Sequence, residues 1–450
     1  MRQQGYISLV IYIWLLAISG SARAEGSPFD AWAQWVTSRQ GKWKGQLVPY
    51  PDQVPRPEPQ PLVLDSWLLP VSVHAPARIS MAEAERVLSH LERAYELLLE
   101  TGWPIPLPDG GAGGTAGFDL YYLPSSSAPA EVYLDSPVTW SLLDDATAYA
   151  VVDSRVDKEL LQACIVSALA QAALLGQDPA EAPAWRQATG AFVAWLATGY
   201  FGCDDAVVRQ QQEPWRGWIT DAPESGAGGA LFLAMLSEVQ DGGTGSFIRE
   251  LWQFARQSTE PGDQLRGSPD LYEAMARALK NAGQSLDEIA VDLAVARYFA
   301  GPDERRRAAP YKALRWLPLE AAVPVVQAGG LGDLPRHLPE ADPPIETFGS
   351  SYAMVDTLGA VLPGQLKIWL RGEHGALWSL VAVRLATDGQ EIGRVAAPSK
   401  PDPNSYLSVE LTADTAKVLI VVTNLIDGTP DADCDTRNSR SFRLILDSSR

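Results

Sequence analysis

The chain has 450 residues, 46% of them hydrophobic, with 36 basic against 55 acidic side chains and a formal charge of −19. That excess of acid excludes the electrostatic footprint of a nucleic-acid binder, while the length and apolar content suffice for two cores. Three cysteines, Cys164, Cys203 and Cys434, allow at most one internal disulfide, so the chain is no disulfide scaffold.

The first residues carry Arg2, an apolar run over 7–18 and then Ser21-Ala22-Arg23-Ala24, the pattern of a signal peptide (1–24) cleaved after an Ala-x-Ala site. The run is shorter than the ~20 residues that span a bilayer. No cysteine follows it to carry a lipid, and no later segment is long and apolar enough to cross a membrane. The expectation is a soluble exported protein, periplasmic or extracellular, with no membrane span after signal cleavage. Without residues 1–24 it has 34 basic and 55 acidic side chains, a charge of −21, which favours solubility.

Residues 25–63 hold Trp32, Trp35 and Trp43 and end in a proline-dense stretch over 49–61, which predicts an extended linker or a pro-segment. Alternation over 66–73 predicts a strand. A capping box, Ser80 with Glu83, opens a helix with Val87, Leu88, Leu91, Tyr95 and Leu98 on one face. Short strands fit 118–123, 131–134 and 148–152, and a helix fits 157–176. From there to about 300 the pattern is helical, with starts at Ser268-Pro269 and at the capping box Ser285 to Glu288, which leads into Ile289, Leu293, Ala296 and Phe299. The glycines at 110–117 and 226–229 lack the Gly-Lys-Ser/Thr ending of a phosphate loop and read as loops and helix starts.

After a Pro-rich bridge (311–344), alternating runs over 352–356, 365–371, 377–385, 392–396, 406–411, 417–423 and 441–446 have the spacing of a β-sandwich (345–450). Trp369 and Trp378 could line a sugar-binding face or fill its core. Asp431, Asp433 and Asp435 alternate on the loop before the last strand and offer a calcium ion oxygen ligands, without the Gly and Glu of an EF-hand.

The stretch Cys164-Ile165-Val166-Ser167-Ala168 is followed 23 positions on from Cys164 by Gln187. With its flanks at 160–171 and 184–195, and with the apolar patterns at 82–98, 102–110, 228–238 and 287–301, it resembles a family of secreted bacterial gluzincin-type metalloproteases over most of 64–300. The resemblance implies an α+β fold: a peptidase-shaped domain (64–310) of a small sheet plus a mainly helical half, ahead of the all-β sandwich. It places Cys164 and Ala168 at the two histidines of His-Glu-x-x-His, Ile165 at the general-base glutamate and Gln187 at the third ligand. A neutral amide and an alanine cannot hold zinc, and without the metal no water is driven toward hydroxide. None of the four histidines, His74, His90, His337 and His374, has metal-ligand spacing to another. Cys164 within an apolar helix is an inert thiol rather than a nucleophile.

The expectation is therefore a pseudoenzyme: an exported, catalytically inactive metalloprotease homologue that acts as a binding or scaffold protein for a polypeptide or cell-surface ligand, with no zinc or other cofactor beyond calcium. The alternative is a secreted hydrolase with catalytic residues that the sequence does not identify.

Overall fold

The computed structural model describes residues 47–51, 53–124, 128–138, 141, 143–218, 226–256, 264–267, 269–357, 364–398, 403–425 and 439–449. The segment 1–24 expected to be a signal peptide, the tryptophans at 32, 35 and 43, Cys434 and the expected calcium loop of Asp431, Asp433 and Asp435 lie outside them.

Strand β1 (Leu47–Pro49) is followed by the proline-dense segment, β2 (Leu62–Asp65), β3 (Val71–Ala75) and helix α1 (Met81–Thr101). Of the run expected as one strand over 66–73, residues 71–73 lie in β3, and 66–70 form the turn between two antiparallel strands. Ser80 caps α1 by accepting from the Glu83 N–H. The Glu83 carboxylate accepts from the Tyr122 hydroxyl instead of returning to the cap, so only half of the predicted box forms.

Strands β4 (Phe118–Leu123), β5 (Ala130–Pro137) and β6 (Ala146–Asp153) complete a five-stranded sheet of order β2-β3-β4-β6-β5, parallel at its centre and antiparallel at both edges. Strand alternation sends Val71, Val73, Leu120, Ala148 and Ala150 into an apolar core with Val87, Leu91 and Leu98 of α1. The opposite face carries His74, Asp119, Tyr121, Thr147 and Tyr149.

Helix α2 (Leu161–Leu175) is apolar all round and almost wholly buried, as a helix without a polar face must be. It packs against α3 (Pro183–Thr198), and α4 (Ala206–Gln212), α5 (Ala230–Asp241), α6 (Ser246–Ala255), α7 (Leu271–Asn281) and α8 (Leu286–Arg297) extend the same core. A short strand, β7 (Gln264–Arg266), lies between α6 and α7 and pairs with β1. Asp270 caps α7 by accepting from the Glu273 N–H at 2.6 Å, and Ser268, the start expected from the sequence, lies outside the described residues. Helix α8 starts where the second capping box predicts, but without a bond from the Ser285 side chain.

The segment 311–344 supplies strands to two further sheets: β8 (Val326–Gly330) and β9 (Arg336–His337). These join β10 (Ser350–Asp356), β11 (Gly364–Gly372), β12 (Leu377–Leu385), β13 (Glu391–Ala396), β14 (Asn404–Leu411), β15 (Lys417–Leu425) and β16 (Phe442–Ser449). One sheet runs β13-β12-β15-β10-β8, the other β14-β11-β16-β9. Leu366, Ile368, Leu380, Ile420, Val422 and Leu444 share a core between them. The five-stranded sheet is buried on its other face as well: Tyr352, Val381, Val383, Leu419 and Val421 belong to the helical core, and the Tyr352 hydroxyl donates to the Ala294 carbonyl of α8 at 2.7 Å.

Candidate functional site: a helix crossing and the back of the sheet

Cys164, Ile165 and Ala168 are each 0% exposed inside α2, in the common apolar core. Gln187, one turn into α3, is half-buried and points to the turn before α5: a Cβ added to Gly226 would stand 2.2 Å from its Oε1. The two helices meet at Gly190, where an added Cβ would lie 2.8 Å from the Ser167 carbonyl oxygen. The polar groups at this crossing bond to one another: Gln171 donates to the Ser167 hydroxyl at 3.1 Å, and the Trp252 indole donates to Thr189 at 3.0 Å. Among the described residues, no group of three or more His, Cys, Asp or Glu side chains could hold a metal ion. Cys164 and Cys203 are free thiols, and burial pushes that of Cys203 up.

Beyond the end of α2 lies a buried acid cluster that sequence reasoning missed. Burial pushes the carboxyls of Asp178 and Glu181 up, to about 8, against the Arg186 charge. Glu181 accepts from the Leu271 N–H at 2.6 Å at the start of α7 and from the Ala182 N–H, so it ties the α2–α3 loop to α7. Burial also raises Asp144, which sits beside Asp145 and keeps one oxygen without a partner. Asp145 pairs with Arg256 at 2.6 Å.

The second missed constellation is the back of the N-terminal sheet. His74 Nε2 lies 2.7 Å from Asp119 Oδ1, which also accepts from the Thr115 hydroxyl at 2.8 Å. Asp119 Oδ2 takes the Arg56 guanidinium at 2.5 Å, and the same group reaches Asp109 at 2.6 Å and Asp135 at 2.9 Å. A bulge between Leu134 and Ser136 brings Asp135 to this face, where Thr147 donates to it at 3.2 Å. Burial works against ionisation of Asp119, but its bonds from His74 and Thr115 and the charges beside it hold its carboxyl below the usual range. An aromatic row crosses the same face. His74 stacks on Tyr121 at 4.6 Å, Tyr121 meets Tyr149 edge-on at 5.7 Å, and Tyr149 stacks on Tyr133 at 5.3 Å. No sequence spacing links residues 56, 74, 109, 119 and 135; only strand alternation at His74 and Asp119 could have signalled them.

Comparison with models of known protein families gives no match, and comparison with curated proteins gives none either. The site is therefore read from its own geometry.

Elsewhere, Trp378 is core, 1% exposed, whereas Trp369 faces outward beside Tyr406, with ring centroids 5.3 Å apart. Glu213 pairs with Arg216, and Glu238 accepts from the Lys312 and Ala313 N–H groups. No helix among the described residues is long and apolar enough to cross a membrane.

Proposed function

We propose that this is an exported, catalytically inactive relative of the gluzincin metalloproteases, a peptidase-shaped domain followed by a β-sandwich, that works by binding or scaffolding rather than by hydrolysis. One observation carries the reading: Cys164, Ile165 and Ala168, at the positions of the two imidazoles and the base, are sealed in apolar packing. A catalytic zinc needs three donor side chains and an open position for water. Of those three positions only Cys164 carries a donor atom, none is open to water, and Gln187 is a neutral amide turned to another turn of chain.

A binding role is supported by exposed apolar surface. Trp67 and Leu68, at the turn between β2 and β3, are 99% and 87% exposed. A cleft of about 390 Å³ opens between Trp215 and the two C-terminal sheets, lined by Val325, Leu338, Ile345, Phe442 and Leu444. A general peptidase assay on purified protein, with and without added zinc, tests the proposal: no cleavage is expected in either, and zinc-dependent turnover would end it.

A further inference from the structure

The proline-dense segment ahead of β2 is not a free linker. From β1, held against β7, it passes over the back of the sheet to β2 at the far edge. Prolines at 55, 57, 59 and 61 favour an extended polyproline conformation, and the segment forms no helix or strand between 53 and 60. The Tyr149 hydroxyl reaches the carbonyl oxygens of Val54 and Pro55, each at 3.1 Å, and the Arg56 guanidinium lies 5.1 Å from the centre of the Tyr149 ring. Arg56 itself ends among Asp109, Asp119 and Asp135, its side chain only 11% exposed. Much of the segment is otherwise exposed, Val54 by 42%.

An aromatic row under a proline-rich chain, beside an acidic pocket that takes one arginine, is a general chemistry of extended-peptide recognition. Here the ligand is part of the same molecule. We propose that the back of the sheet is a recognition site for an arginine flanked by prolines, filled in cis by Arg56, and that it binds such a segment of a partner polypeptide when its own strap is displaced. The three carboxylates set the requirement. One guanidinium meets all of them in a planar fork, which a lysine ammonium cannot reproduce. The proposal deepens the binding role above by naming a partner class, but it stands on different residues and survives or fails apart from the question of peptidase activity.

The probe is a labelled peptide of residues 51–60, Pro-Asp-Gln-Val-Pro-Arg-Pro-Glu-Pro-Gln, titrated by fluorescence anisotropy. Wild-type protein should show no saturable binding, because a tethered strap competes at an effective concentration of order mM. The Arg56→Ala protein, checked for a native circular dichroism spectrum, should bind the peptide, and a peptide with alanine in place of its arginine should bind at least about tenfold more weakly. A folded Arg56→Ala protein that binds no peptide up to about 1 mM, or binds both peptides alike, overturns the proposal. Should that variant fail to fold, protease sites inserted after Tyr50 and between Pro61 and Leu62 free the strap at both ends from protein already folded, and gel filtration then removes it. Rebinding of the arginine peptide to the nicked protein then supports the site, and failure to rebind refutes it.

Discussion

At the scale of single residues, burial decides what this chain can do chemically. Ala168 has no exposed surface, so an imidazole there has neither room nor a partner. Ala168→His should cost about 3 kcal/mol or more, overpacking and an unpaired polar group adding together. The four-residue restoration, Cys164→His, Ile165→Glu, Ala168→His and Gln187→Glu, should lower the guanidinium midpoint further before it gains any metal. A fully stable restored protein would mean that the crossing can open into a cleft.

The acid cluster gives a second residue-scale expectation. Asp178 and Glu181 have folded-state pKa values raised from the ordinary carboxylate value of about 4 to about 8. The more basic folded form holds its protons longer than the unfolded chain, so their contribution is complete below about pH 4 and erodes as pH rises through about 8. The melting temperature should fall between pH 5 and pH 8.5, and Asp178→Asn should flatten that slope. An identical slope in the variant would place the cluster's protonation elsewhere.

At the scale of elements, α3 crosses α2 closely at Gly190. A methyl at Gly190 would meet backbone as well as the Gln171 side chain, so the helices would have to part. Gly190→Ala should destabilise the protein by about 1–3 kcal/mol, read from urea unfolding, while Gly332→Ala, with open space around it and no left-handed backbone, should lose less. The elements are also where the sequence was most legible. Periodicity places α1, α2 and α8 and every strand from β10 to β16 to within a few residues, because amphipathic alternation is a local signal. The unbroken apolar run of β15, Val418-Leu419-Ile420-Val421-Val422, did carry a further message, since a strand without alternation is buried on both faces. The helices behind that sheet supply the second face. The arginine site was not legible, because its three carboxylates come from one loop, at Asp109, and from two strands, at Asp119 and Asp135, which only folding brings together.

At the scale of the whole molecule, the C-terminal sheets and the helical half share one continuous buried surface. A fragment of residues 345–450 would lack β8 and β9 and expose Tyr352, Val381, Val383, Leu419 and Val421. It should aggregate or bind a hydrophobic dye strongly, whereas a fragment from about residue 323 should be better behaved though still sticky on the same face. A soluble, dye-silent 345–450 fragment with a sharp melting transition would show that the helical contact is dispensable. The central claim of the proposed function is that Cys164, Ile165, Ala168 and Gln187 form no zinc site. Metal content of the protein, purified from its native source without chelators and measured by mass spectrometry, tests it most directly. The account predicts zinc far below one atom per chain, and one tightly held zinc per chain would contradict it.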